Sequence, residues 1–572
     1  MAAAQDARAA AAGAHAPAAA LDLGPRIPMP TIIYGTAWKG PASTPLVLTA
    51  LRAGFRAVDT AAQLKHYDEA AVGQGIRDAL AAGAASTSAA AADPELQGLT
   101  RSQLWIQTKC TPPAGQDWSR PVPYERTDRP ANAVRKSFAL SLWNLATDEG
   151  WREAHPPLPG YGRHARSRSQ SNDPKGKQRD FSGSTSKGAD GPEPSPLDLL
   201  SDAAVSLLPS GAAAPGEGQA ATVAAAATAT AATVPAYPAP GSPLYPHLRP
   251  RTSAAEPYID SYLLHSPFDS LEDTVEAWRE MENLVRLGWI RRIGLSNVYD
   301  PRILQALRTY FVTSASTPPG HAEPGGGGGG PTYPIAPTIL QNRWHNSTLH
   351  DVSLFSILSP TLSPNDFADI AGRIQSQKEA AEGALAAVRQ QVDSLEPRLL
   401  EAPQPETDDP GQVQAITYQA FWILTGNPSL LTRPAVLENV QIVNAYLPQS
   451  ISPPLPERPA ESALQRAIRS TRWTPQMLLY ATVALGLGGV PGLSTAVLCG
   501  STDNVHMVEA LVAVHRAENL RAAELGFGRG SGSGNGRDRG ASLGPKERER
   551  EEAHNVALRE AVDAIRREVY GE

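Results

Sequence analysis

Residues 258–297 read YIDSYLLHSPFDSLEDTVEAWREMENLVRLGWIRRIGLSN, and this stretch decides the fold. Its first eight residues, Tyr258 to His265, form a short apolar run, the pattern of a strand buried on both faces. A helical pattern follows. Ser270 stands at the N-cap, Asp273 lies at the third helical position, and Gly288 stops the helix. IRRIGLS (290–296) then returns to the strand pattern. Strand, helix, strand predicts parallel strands covered by helices.

The same alternation extends outward. FRAVD (55–59), LWIQTK (104–109), TILQ (338–341), AITYQAF (415–421) and TAVLCG (495–500) read as buried strands. TPLVLTALRAG reads as a helix ending at Gly54, a C-cap. DEAAVGQGIRDAL (68–80) is helical. So is ANAVRKSFALSLWNL (131–145), with Val134, Phe138, Leu142 and Leu145 at helical spacing. Met477 to Thr502 is uncharged and long enough to span a bilayer. Its middle, GLGGVPGLS, would break a helix, so the stretch predicts a helix, a turn and a strand, and no transmembrane segment.

Composition separates core from insertion. The chain has 572 residues with 48 Gly and 52 Pro, and charged residues are only 19%. Low-complexity stretches bury too little apolar surface to offset chain entropy. The expected organisation is a disordered Ala-rich N-terminus (1–20) and a single barrel domain (21–525). The barrel is interrupted by disordered insertions at 83–100, 149–256, 312–334, 402–412 and 439–463. A linker (526–545) and a C-terminal helix (546–572) follow. What remains suits one (β/α)₈ TIM barrel, which needs roughly 250 residues. Periodicity by itself does not separate a closed barrel from an open sheet.

A net charge of −7 argues against a general nucleic-acid binder. Two cysteines, Cys110 and Cys499, exclude a disulfide scaffold and fit a reducing compartment. The expected location is cytoplasmic, with an organelle as the alternative for this N-terminus. The basic Ser-rich run at 162–181 reads as a solvated linker rather than an RNA-binding or phosphorylated segment. Gly325 to Gly330 lack a following G-K-[ST] and form no P-loop. His345 and His350 lie five apart without a carboxylate-rich helix motif, so no metal site is expected.

Polar residues close the strands. Asp59 ends FRAVD, Lys109 ends LWIQTK, His265 ends YIDSYLLH, Ser296 and Asn297 end IRRIGLS, and Gln341 ends TILQ. In a parallel barrel these ends converge on one face, where chemistry is found. Each alone reads as a satisfied cap or ion pair. Their recurrence at equivalent strand ends points to a site.

At these residues the chain resembles the aldo-keto reductase family. The resemblance rests on GFRAVDTA (54–61), EAAVG (69–73), TK (108–109), DSYLLHSP (260–267), MENLVRLGWIRRIGLSN (281–297) and LQNRWH (340–345). It is particularly similar to the divergent branch carrying DTAxQxKHY and YQxFW, here DTAAQLKHY (59–67) and YQAFW (418–422). The resemblance implies a (β/α)₈ barrel binding a nicotinamide cofactor without a dinucleotide fingerprint. The sequence indeed has no G-x-G-x-x-G between strand and helix.

The resemblance implies a catalytic set of Asp, Tyr, Lys and His, matched by Asp59, Tyr67, Lys109 and His265. The chemistry asks for these types. Hydride addition to a carbonyl puts negative charge on oxygen, so a proton donor must sit beside it. A Lys⁺ beside the tyrosine would favour the phenolate and lower its pKa. Asp59 would hold Lys109, and His265 would orient the carbonyl or assist proton transfer. The common family spacing places the Tyr at Leu64, and counting back from Val72-Gly73 gives His66. Tyr67 fits the branch with the longer loop.

The resemblance also implies the cofactor contacts. Ser296, Asn297 and Gln341 would hold the carboxamide. Tyr418 would stack on the nicotinamide ring, and Gln419 and Phe421 belong to the same strand's set. Thr36 and Asp59 line the pocket, and Trp38 contacts substrate. At the phosphate end, Gly500 and His506 stand where many relatives have Lys and Arg. Ser501 and Thr502 would bind phosphate through N–H groups at a helix start, and Glu509 would touch adenine. NADP(H) is the implied cofactor, with NAD(H) as the alternative. The expected activity is reduction of small aldehydes or ketones by a monomer. The competing class is a cofactor-bound barrel acting as a sensor or regulatory subunit.

Overall fold

A computed structural model of the chain describes residues 28–84, 93–155, 248–299, 303–304, 335–345, 354, 416–447, 462–486, 494–524 and 545–570. The expected disordered segments 1–20, 312–334 and 402–412 lie outside these residues. So do the basic run 162–181, most of 149–256 and nearly all of the linker 526–545.

Eight parallel strands close into a barrel, each paired with the next and the last with the first. They are β1 (Ile32–Gly35), β2 (Ala57–Asp59), β3 (Trp105–Cys110), β4 (Ile259–Leu264), β5 (Ile290–Ser296), β6 (Ile339–Arg343), β7 (Thr417–Phe421) and β8 (Ser494–Cys499). The question that periodicity left open is thus settled in favour of the closed form. The helices are α1 (Ser43–Ala53), α2 (Glu69–Ala84), α3 (Pro130–Leu145), the short α4 (Glu149–Ala154), α5 (Leu271–Arg286), α6 (Pro434–Ala445), α7 (Ala463–Ser470), α8 (Pro475–Ala484), α9 (Asn504–Glu524) and α10 (Pro545–Tyr570).

Local chemistry sets the ends. Gly54 adopts φ +119°, a left-handed cap that other residues rarely take, and its N–H bonds Ala50 and Leu51 carbonyls. Ser270 Oγ accepts from the Asp273 N–H, capping α5. Gly294 in β5 lies so close to β6 that an added Cβ would sit 2.5 Å from the Ile339 carbonyl oxygen.

The strand period of two builds two cores. Ile33, Ala57, Trp105, Leu263, Ile339 and Leu498 fill the inside of the barrel. Val58, Ile106, Tyr262, Leu264, Leu295 and Leu340 face outward onto the helices. Residues one and three places before a strand's inward C-terminal side chain therefore both face outward, and this parity decides which groups reach the site.

Three expected boundaries shift. Residues 439–445 belong to α6, so the segment 439–463 does not begin as an insertion. Pro434 occupies the first helical turn, where its missing N–H is harmless, and Val436 and Val443 are fully buried. Residues 83–84 end α2, and Leu96 and Leu99 pack into the outer core, with the Gly98 N–H on the Gly83 carbonyl. The segment from 149 opens as α4, capped by Asp148 Oδ1 on the Trp151 N–H. The C-terminal helix α10 docks on the barrel: Leu558, Ala561, Val562 and Ile565 are fully buried in the outer core. No described helix is long and apolar enough to cross a membrane.

Candidate active site

Asp59 and Lys109 meet at the C-terminal mouth of the barrel. Lys109 Nζ donates to Asp59 Oδ1 at 2.7 Å, to Oδ2 at 2.6 Å and to the Thr60 carbonyl at 2.9 Å. All three ammonium protons have acceptors, which is what allows a fully buried Lys to stay in the barrel. Burial still pushes the ammonium pKa below its ordinary value, and Asp59 opposes that shift.

Tyr67 lies against this pair. Lys109 Nζ is 5.4 Å from the centre of the Tyr67 ring. The Tyr67 and His265 rings meet edge to face at 5.7 Å. The two competing positions point elsewhere: His66 stacks on Trp38 with ring centres 3.8 Å apart, and Leu64 is partly exposed. The structure thus brings Tyr67, not His66 or Leu64, beside Lys109 and His265.

The expected direction of the Tyr67 pKa is reversed. Burial pushes the phenol well above its ordinary value and the Asp59 carboxylate adds to this. Arg343 is the cation that pulls it down. Lys109 gives its protons to Asp59 and Thr60. His265 is held neutral, its pKa driven far down by burial and then by Lys109, His66 and Arg343. Its Nδ1 lies 2.7 Å from Thr111 Oγ1, and its backbone N–H donates to the Cys110 carbonyl at 2.8 Å.

Around Asp59 runs a belt of amides. Gln107 Nε2 donates to Asp59 Oδ1 at 2.7 Å and to Gln419 Oε1 at 2.7 Å. Gln341 Nε2 donates to Gln419 Oε1 at 2.9 Å and to Asp59 Oδ1 at 3.2 Å. Gln419 is fully buried inside the barrel, where it also bonds Gln107 Oε1. With its N–H groups so engaged, Gln341 presents its carbonyl oxygen as an acceptor. Ser296 Oγ donates to the backbone carbonyl of Gln341 at 2.8 Å, and Asn297 Nδ2 donates to the backbone carbonyl of His265 at 2.8 Å. Asn297 has φ +53°, a conformation Asn tolerates better than most residues. Ser296, Asn297 and Gln341 therefore converge as expected.

Tyr418 does not join them. It pairs with Leu340 and Thr495, is fully buried, and lies in the outer core among the helices. Strand parity puts Thr417, Gln419 and Phe421 on the inner face. The ring that reaches the barrel mouth from β7 is Phe421, which packs on the inner core. The alternation within TYQAF was the signal that could have shown this.

Three site residues were not anticipated. Arg343 ends β6 two places after Gln341, on the same face, with its guanidinium 4.5 Å from the Trp422 ring centre. Gln107 precedes Lys109 by two places and shares its face. Thr111 follows Lys109 by two. Each was readable from the period of two once one inward residue was known. Thr36, by contrast, gives its hydroxyl to the Asp59 carbonyl at 2.8 Å. Trp38 sits at the mouth, 65% exposed, at φ +62°.

At the far end, Gly500, Ser501 and Thr502 link β8 to α9. Lys39 Nζ reaches the Gly500 carbonyl, so a cation from the loop after β1 stands beside this turn. Asp503 Oδ1 accepts from the Val505 and His506 N–H groups at 2.7 and 3.2 Å. The carboxylate thus caps the first turn of α9, just after the Ser501 and Thr502 expected to meet phosphate. His506 is exposed, and Glu509 accepts from Gln476. Among the described residues no group of three His, Cys, Asp or Glu side chains could hold a metal ion.

Known proteins were compared with the chain. The model of the aldo/keto reductase family matches residues 255–319. That segment holds the whole of the strand, helix and strand at 258–297. No curated protein matches. Solved structures with similarity include MGS-M4, an aldo-keto reductase from a Medee basin deep-sea metagenome library, at 12% identity and TM-score 0.34, covering 93% of each chain. An aldo/keto reductase from Brucella melitensis gives 14% and 0.33, covering 84% of this chain and 88% of that one. A Gox0644 mutant in complex with NADPH gives 12% and 0.32, covering 88% and 93%. The fold rests on the closed barrel itself. The family that the motifs resemble is also the family whose model matches the central βαβ unit: the chain is similar to the aldo/keto reductases.

Proposed function

We propose that the chain reduces aldehydes or ketones to alcohols with a nicotinamide dinucleotide, Tyr67 acting as the proton donor. The observation that carries this reading is the meeting of Tyr67, Lys109, Asp59 and His265 at one barrel mouth, from three separate stretches of sequence.

The donor set fits a nicotinamide. Gln341 offers an acceptor, while Ser296 and Asn297 offer polar groups at fixed positions around it. Phe421 supplies the inward ring for stacking, and Lys39 with the turn 500–502 supplies the phosphate end. When bound, the cofactor supplies the hydride.

The residues of the chain do the rest. A carbonyl oxygen gaining charge beside Tyr67 and His265 is met by two protonated or neutral donors. Tyr67 gives up its proton as the alkoxide forms, with the Lys109 ammonium 5.4 Å from its ring centre. Arg343 favours the charged form, which burial and the Asp59 carboxylate disfavour. Asp59 keeps Lys109 in place throughout.

The choice of dinucleotide follows from local charge. Gly500 and His506 stand where many relatives carry Lys and Arg, which leaves Lys39 as the cation beside the turn, so NADH serves as well as NADPH. The purified chain, mixed with NADH or NADPH and a panel of aldehydes, should consume the reduced cofactor. Cofactor binding without turnover across the panel would favour a sensor instead.

A further inference from the structure

Thr111 carries none of the chemistry proposed above. It follows β3 and is 2% exposed. Its backbone is fixed from two sides: the carbonyl accepts from the Tyr124 hydroxyl and from Gln116 Nε2 at 3.4 Å. Gln116 also bonds the Ala62 carbonyl at 3.2 Å, and Gln63 Nε2 bonds the Gly115 carbonyl at 2.6 Å. The loop after β3 is thereby tied to the loop that carries Tyr67. The Thr111 hydroxyl, held by this lattice, lies 2.7 Å from His265 Nδ1.

A neutral imidazole has one proton and two nitrogens, and the partner of one nitrogen decides the state of the other. His265 is neutral in this site. If the ring donated from Nδ1, its other nitrogen would meet a carbonyl oxygen lone pair to lone pair. A hydroxyl that donates to Nδ1 instead leaves the proton on Nε2. Accepting at Nδ1 also polarises that remaining N–H.

We propose that Thr111 is a positioning residue for carbonyl reduction: its hydroxyl donates to His265 Nδ1 and so presents Nε2–H to the substrate oxygen. This rests on the reductase reading above, and it assigns to a threonine two places beyond Lys109 the task of fixing the histidine's tautomer. The ring orientation has a second support, since the His265 backbone is pinned by the Cys110 carbonyl and by Asn297. Loss of the hydroxyl should therefore change the proton's position more than the ring's place.

The test compares the full-length chain with Thr111→Val, which keeps the shape, and Thr111→Ser, which keeps the hydroxyl. Nitrogen-15 NMR of histidine-labelled protein reads the tautomer, with His265→Asn identifying the signal. Thr111→Val should lose the Nε2–H tautomer and reduce kcat by about 10- to 100-fold, the usual effect of removing a group that orients a functional histidine. Cofactor affinity should stay unchanged, and Thr111→Ser should restore both tautomer and kcat. A wild-type proton on Nδ1, or Thr111→Val with wild-type kcat, would overturn the proposal. Should wild type reduce no carbonyl, the reductase reading fails, and the tautomer comparison still upholds or overturns the role of Thr111 on His265. If Thr111→Val does not fold, the wild-type and Thr111→Ser spectra decide.

Discussion

Lys109 gives two of its three ammonium protons to Asp59 and the third to the Thr60 carbonyl, inside a barrel that leaves neither side chain more than 3% exposed. The ion pair is therefore both part of the site and part of the core. Removing one charge strands the other.

Asp59→Asn keeps the shape and deletes the charge. It should destabilise the chain by about 3–5 kcal/mol, the usual result of leaving a buried charge uncompensated. Equilibrium urea unfolding measures this. A variant as stable as wild type would show that Lys109 finds another partner or loses its proton at little cost.

The β7 rings give a contrast. Phe421 lies on the inner face and Tyr418 on the outer. Phe421→Ala should weaken cofactor binding about tenfold or more, as loss of a stacking ring costs about 0.5–1.5 kcal/mol beyond its area burial. Tyr418→Phe should leave cofactor affinity unchanged. The reverse pattern in a fluorescence titration would return the stacking role to Tyr418.

On the proposed function, charge at the start of α9 should set the dinucleotide preference. Asp503→Asn should raise the ratio of kcat/KM for NADPH over that for NADH. An unchanged ratio would place the 2′ position away from this turn.

The C-terminal helix carries a pH dependence. Trp473 Nε1 donates to His554 Nε2 at 3.0 Å, and burial with Arg516 nearby holds the His554 pKa down at about 4. In the unfolded chain a histidine titrates near 6.5. Between these values the unfolded state binds the extra proton, so stability is full above pH 6.5 and falls as pH drops toward 4. The ceiling is about 3 kcal/mol. Thermal melts of wild type and His554→Gln from pH 7 to 5 should converge as pH falls. Parallel curves would contradict this.

Much of this architecture was legible in the sequence because strands buried on both faces leave uninterrupted apolar runs. IRRIGLS is the same strand in sequence and structure. Gly54 and Ser270 announced helix ends through conformations and hydrogen bonds that few other residues supply. Such runs conceal which face each residue takes, and so Tyr418 was expected in the pocket while Gln107 and Arg343 went unnoticed. Segment 439–445 misled because neighbouring prolines outweighed the helical spacing of Val436 and Val443. The protonation of Tyr67 was not legible at all. It depends on how deeply the folded chain buries the phenol and on the Asp59 carboxylate beside it.

The central claim is that Tyr67 delivers the proton. Tyr67→Phe removes one hydroxyl and keeps the ring that faces Lys109 and His265. Single-turnover reduction of an aldehyde by the variant, with saturating reduced cofactor, should slow by about 10²- to 10⁴-fold, the range for loss of a general acid, with cofactor affinity retained. Reduction at the wild-type rate would contradict the account.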